Sequence, residues 1–194
     1  MQRYLSLAPK EVTVNHTLAV LACVSVLGLV AFADDPPELP KPEKQHAWLE
    51  QLAGEWDTEM ETSEGSGQTK KHKGTESARM IGGFWLQCQV KADMGGTTFT
   101  GILTVGYDPA KKIYVGTWID SMTSFMWRYE GTVDEAGKVL TLNTEGPSPM
   151  DPKKTCKFRE VLAITDADHK TFTSHFEHDG KWVEMMKATY TRKK

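Results

Sequence analysis

Long hydrophobic runs are almost missing from this chain. A helix needs ~20 mostly apolar residues to cross a bilayer, and the apolar run Leu18–Phe32 has only 15 residues. Cysteine is scarce as well, at three in 194 residues. There is no Cys-x-x-Cys and no His-Glu-x-x-His, so the common zinc and redox motifs are excluded. The Gly-x-Ser-x-Gly elbow, the phosphate loop and the dinucleotide fingerprint are also missing. No catalytic residue is therefore recognisable by motif, and neither a metal ion nor a cofactor is expected. His175 and His178 are three apart, which on a strand puts them on opposite faces. Haem on an interior histidine is disfavoured, because alternation turns His175 away from Phe172 and Phe176.

What is present near the N-terminus reads as an address. The apolar run ends at Ala31-Phe32-Ala33, followed by Asp34-Asp35-Pro36-Pro37. An apolar core with an Ala-x-Ala exit is the pattern of a secretory signal peptide. Residues 1–33 are thus expected to be a cleaved leader, and the mature protein to be secreted or periplasmic with no stable membrane span. An uncleaved anchor helix is the alternative. Lipid attachment at Cys23 is disfavoured, because apolar residues continue after it. Cleavage after Ala33 leaves 161 residues, ample for one domain. Losing Arg3, Lys10 and Glu11 leaves 21 basic and 25 acidic residues, a net charge of −4. That balance argues against a nucleic-acid partner, which demands a basic face. Cys88 and Cys156 remain. They lie on strands far apart in the order and are expected to be free thiols, pairing in an oxidising compartment being the alternative.

Residues 34–42 (DDPPELPKP) form a Pro-rich linker. A single domain is expected over 43–194. It opens with a short helix, Glu43–Leu52, whose apolar stripe is Ala47, Trp48, Leu49 and Leu52, with Gly54 placed to end it. Ten strands are predicted after that: Glu55–Thr62, Gln68–Met80, Phe84–Met94, Thr97–Tyr107, Ile113–Asp120, Ser124–Val133, Lys138–Thr144, Thr155–Ile164, Thr171–His178 and Trp182–Thr191. Gly-Gly, Asp-Pro and Asp-Gly turns separate them, and these are hairpin connections. None leaves room for a helical crossover, so the sheet is antiparallel. Closing it into an up-and-down barrel removes both exposed edges. A two-sheet sandwich is the alternative.

Hairpin register assigns the inward faces. A two-residue turn at Gly95-Gly96 sets Ala92 against Phe99 and Cys88 against Leu103. Continuing the register places Tyr107, Tyr114, Trp118, Trp127 and Tyr129 on one face, with Phe125 opposite Asp120. Two carboxyl groups, Asp120 and Glu160, fall on that interior face. The aromatics either line a pocket or fill the barrel solid. The cluster Lys70, Lys71, His72 and Lys73 is expected to be a solvated strand surface.

Leu52-Ala53-Gly54-Glu55-Trp56 places a Gly-x-Trp motif at the start of the first strand, just after the helix. This resembles the opening motif of the calycin superfamily, which includes lipocalins and fatty-acid-binding proteins. The resemblance implies that Trp56 closes one end of a barrel with an arginine from the last strand stacked over it, here Arg192. Further segments resemble an uncharacterised bacterial family of exported, lipocalin-like proteins: Gly82-Gly83-Phe84-Trp85-Leu86, Gly106-Tyr107-Asp108-Pro109, Gly116-Thr117-Trp118-Ile119-Asp120-Ser121-Met122, Glu130-Gly131-Thr132 and Thr189-Tyr190-Thr191-Arg192-Lys193. The family is a domain of unknown function, so the resemblance implies a fold and no activity. Lys187 stands where that family pattern has an acidic residue.

The expected molecule is an exported barrel that binds a small, mostly apolar ligand. Tyr107, Trp118, Trp127 and Tyr129 would line the cavity, and Asp120 and Glu160 would set its polarity. An enzyme using Asp120 and Glu160 as an acid–base pair, and an envelope interaction module with a filled barrel, are the alternatives.

Overall fold

A computed structural model describes residues 38–64 and 68–194. The expected leader and the first part of the linker lie outside the described residues. The ordered elements are a helix, α1 (Lys44–Glu50), and ten strands: β1 (Gly54–Glu64), β2 (Gln68–Ile81), β3 (Trp85–Asp93), β4 (Thr98–Asp108), β5 (Ile113–Asp120), β6 (Trp127–Val133), β7 (Val139–Pro147), β8 (Thr155–Ile164), β9 (His169–His178) and β10 (Lys181–Arg192). The strands pair antiparallel in sequence order, and β1 closes on β10, giving one ten-stranded barrel. Closure excludes the two-sheet sandwich. It happens through Trp56↔Arg192 to Thr62↔Met186, a seven-residue seam that leaves no free edge.

Local chemistry accounts for the hairpins. At Gly95-Gly96 both residues have positive φ, at 73° and 93°. Two such residues build the tight turn whose twist matches a β-ribbon, and Met94 N–H donates to Thr97 O at 2.9 Å across it. Ala92 accordingly faces Phe99 and Cys88 faces Leu103, as the sequence predicted. Asp179-Gly180 turns the same way, with φ of 50° and 73°. Asp134 instead accepts from the backbone N–H groups of Lys138 and Val139, at 2.7 and 3.0 Å, to fold the β6–β7 turn.

Two expectations need correction. The helix buries His46, not Ala47, which is exposed. The imidazole fits there because both ring nitrogens are bonded. Glu43 N–H donates to Nδ1 at 2.9 Å, which leaves Nε2 to donate to Tyr107 O at 3.2 Å. Second, β6 starts at Trp127 rather than Ser124, and Phe125 does not pair with Asp120. The Asp120 carboxylate captures the backbone N–H groups of Met122 and Thr123, at 2.8 and 2.9 Å, so 121–126 fold as a loop. β10 carries a bulge between Glu184 and Met186, which gives the inner face two consecutive methionines.

α1 packs against β2, β3 and β4 and stoppers one end of the barrel. Leu49 and Leu52 are fully buried there. Trp48 Nε1 donates to Gly137 O at 2.7 Å, and the Tyr114 hydroxyl to Gln45 O at 3.0 Å. Among the described residues no helix covers the other end. Cys88 and Cys156 are free thiols.

Candidate functional site

The barrel is hollow above its stoppered end. A cavity of about 320 Å³ runs from Leu49 and Leu52 on the helix side to Met94, Thr123 and Met185 at the opposite mouth. That volume lies at the low end of small-molecule sites, which span roughly 300–1,000 Å³. The pocket reading of the interior aromatics thus prevails over a solid core.

Glycines create part of this space. The Trp118 indole lies across the backbone of Gly101, where any Cβ would overlap the ring. The Trp127 indole lies likewise over Gly146. The sheet therefore accommodates two large flat rings along its wall. Phe99 stacks on Trp118 with centroids 6.1 Å apart, and Phe158 meets Trp127 edge-on at 4.7 Å. These contacts hold the rings in defined orientations.

Of the six residues expected to line a pocket, Trp118, Asp120, Trp127, Tyr129 and Glu160 do so. Tyr107 does not. Its ring sits under α1 against His46 and Tyr114, with centroids 5.7 and 5.3 Å away. The helix covers the end of the barrel that Tyr107 faces. Burial pushes the neighbouring Tyr114 phenol up to about 12, with Tyr107 adding to the shift.

The two interior carboxyl groups have different surroundings. Asp120 sits at the mouth with both oxygens occupied. Its Oδ2 accepts from Trp118 Nε1 at 3.0 Å and from the Thr123 hydroxyl at 3.3 Å, while Oδ1 holds the loop backbone. Asp120 thus anchors loop 121–126 and orients an indole. Glu160 is buried mid-strand, only 8% exposed. Its Oε1 accepts from the Ser174 hydroxyl at 3.1 Å, and Oε2 has no partner. Burial pushes this carboxyl up to about 8, and the Ser174 bond only partly opposes the rise. A neutral carboxylic acid at pH 7 is the result. Burial also raises the Tyr129 phenol, with the nearby charges of Glu160 and Asp120 adding to it.

At the stoppered end the sequence reading found Trp56 and Arg192 but missed two residues. The Arg192 guanidinium lies 4.1 Å over the Trp56 ring, as the family resemblance implied. It also donates to three backbone carbonyls, of Ala53, Gln51 and Ala167, at 2.6, 3.0 and 2.9 Å. Arg192 thereby ties the chain after α1 to the last strand. Gly54 beside it has φ of 134°, a conformation that strains any residue with a Cβ, and a Cβ there would also push against the guanidinium. The missed pair is Lys170 and Glu76, bonded at 2.6 Å with side chains 2% and 7% exposed. Lys170 also sits 4.2 Å over the Trp56 ring and 4.9 Å over the Tyr190 ring. A signal was available, since Lys170 is in phase with Phe172 and Glu76 with Ala78. Lys187, the departure from the family pattern, is exposed and lies opposite Glu61 on the outer surface.

The basic cluster in β2 is a solvated surface, as expected. Lys71 pairs with Glu61 at 2.9 Å and Lys73 with Glu59 at 3.9 Å, all well exposed. Among the described residues no cluster of His, Cys, Asp and Glu could hold a metal ion.

Comparison with known proteins agrees with this architecture. Residues 41–192 match the family model described as protein of unknown function, DUF1579. The chain belongs to this family. No curated protein matches it. Among solved structures it is similar to Rv2717c from M. tuberculosis, at 12% identity and a TM-score of 0.60, covering 79% of this chain and all of that one. It is also similar to the S-type phycobiliprotein lyase CPES from Guillardia theta, at 13% identity and a TM-score of 0.53, covering 80% of this chain and 99% of that one. At these identities the likeness establishes the barrel fold alone.

Proposed function

We propose that this protein binds one small, mostly apolar molecule inside the barrel, with the ligand's polar group at Glu160. The observation that carries this reading is the Glu160 carboxyl, buried in an otherwise apolar cavity with one oxygen unbonded. An unpaired buried oxygen costs free energy, about 1–3 kcal/mol. A core selected for stability alone would hold an apolar residue there. A ligand group bonded to Oε2 recovers that cost. Trp118 and Trp127 supply flat walls, and the mouth beside loop 121–126 supplies the path in. The leader expected over 1–33 supports an exported protein that meets its ligand outside the cytoplasm.

The test is fluorescence titration of the protein with the uncharged probe N-phenyl-1-naphthylamine, together with native mass spectrometry of protein from the cells that make it. Saturable binding is expected, with quenching of tryptophan emission because two indoles line the cavity. Replacing Leu103, which lines the same space, with Trp should abolish binding while the far-UV circular dichroism stays unchanged. A mass excess that vanishes on denaturation would identify the natural guest. Probe binding unaffected by Leu103→Trp would place the ligand elsewhere and refute the proposal.

A further inference from the structure

Building on that binding reading, we propose that the barrel selects apolar ligands carrying a basic nitrogen, whose N–H donates to Glu160 Oε2. The charge inventory of the interior leads to this chemistry. Three carboxyl groups line the cavity, those of Glu76, Asp120 and Glu160, against one cation, Lys170. Lys170 is bonded to Glu76, so what remains facing the ligand is acidic.

Every element around Glu160 has the same bias. Leu142 on β7 and Ser174 on β9 lie directly opposite it, and Phe158 and Leu162 flank it on β8. The titratable groups that line the cavity from β6 and β5 are Tyr129 and Asp120, neither of them cationic. The basic residues next to Glu160 and to its cross-strand partner Ser174 face outward: Arg159 lies over the Trp182 ring and His175 is within 3.8 Å of Glu184. Among the described residues, no lysine, arginine or histidine pairs with Glu160.

Each ligand class meets this site differently. A carboxylate ligand brings a like charge to an acidic interior and finds no free cation. An alcohol forms one neutral hydrogen bond. A protonated amine forms a charge-assisted bond to the open oxygen, about twice as strong as a neutral one. Trp127 and Phe158 line the same cavity, and aromatic faces attract cations.

The pH dependence has a definite sign. An ammonium ligand needs the ionised carboxylate, and burial holds that carboxyl up to about 8. Amine affinity should therefore rise about fifty-fold from pH 6 to pH 8, following the ionised fraction, and level off above. A neutral acceptor that takes the acid's O–H shows the reverse, weakening above pH 8.

The experiment is isothermal titration of the full chain with 4-phenylbutylamine, 4-phenylbutan-1-ol and 4-phenylbutanoic acid at pH 6, 7 and 8. The expected result is at least ten-fold tighter binding of the amine than of the other two at pH 8, with the rise in pH just described. Glu160→Gln, which is isosteric, should remove both the preference and the pH trend. Equal binding of amine and alcohol, or an amine preference that survives Glu160→Gln, overturns the proposal and leaves cavity binding intact. An amine preference lost only in Asp120→Asn assigns the selection to the mouth and also overturns it. Failure of all three to bind a protein that takes N-phenyl-1-naphthylamine overturns this proposal alone. Failure of the naphthylamine too overturns the binding reading itself.

Discussion

Replacing Lys170 with Met should cost this protein a large share of its stability, and the reasoning is specific enough to fail. The substitution keeps most of the side-chain length and removes the ammonium. In the native barrel that ammonium sits 2.6 Å from Glu76, with both side chains almost wholly excluded from solvent. Its removal strands the Glu76 carboxylate in the core and empties the position 4.2 Å over the Trp56 ring. Breaking a buried ion pair from one side costs about 3–5 kcal/mol. With a urea slope of about 2 kcal/mol/M, the unfolding midpoint should fall by about 1.5–2.5 M. Urea titration followed by far-UV circular dichroism reads this directly. Glu76→Gln alone strands the Lys170 ammonium instead, and the double variant removes both charges, so it should lose less than the sum of the singles, by at least about 1.5 kcal/mol. A loss under about 1 kcal/mol for Lys170→Met, or strict additivity in the cycle, would show that the two charges do not depend on each other.

Two further outcomes test the interior. The Glu160 carboxyl has an ordinary value of 4.5 and a folded value of about 8, so between those pH values the folded state holds an extra proton and stability falls as pH rises. Relative to Glu160→Gln, the wild type should lose about 2–3 kcal/mol from pH 5.5 to 7.5, at ~1.4 kcal/mol per pH unit; parallel urea midpoints across that range would refute it. Gly101→Ala puts a methyl where the Trp118 ring lies, and overpacking of this kind costs about 1–3 kcal/mol. The near-UV circular dichroism of the tryptophans should change with it, and an unchanged spectrum at unchanged stability would mean the indole is not seated there.

Much of this architecture was legible because its determinants are local. Strand alternation has a period of two residues, so a face assigned at one position propagates along the strand. Two-residue turns such as Gly95-Gly96 then carry the register to the next strand. That is why the pairing of Cys88 with Leu103 followed from the sequence alone. The same logic failed at 121–126, where the Asp120 side chain competes for backbone N–H groups that a longer hairpin would have paired. It failed again at the helix, where His46 reads as polar but is satisfied by Glu43 and Tyr107.

The sequence by itself determined the strand count, the register across Gly95-Gly96, and the inward placement of Trp118, Asp120, Trp127, Tyr129 and Glu160, while the stacking of Arg192 on Trp56 came from the family resemblance. Only the tertiary structure decided what those inward groups do. Lys170 and Glu76 are 94 residues apart in the chain, and the closure of β1 on β10 brings them together. Asp120 and Glu160 are both interior carboxyl groups, yet the mouth supplies one with four hydrogen bonds and the core supplies the other with one. Solvation and partner geometry separate an anchoring carboxylate from a neutral acid, and they arise from packing across strands rather than from order along the chain.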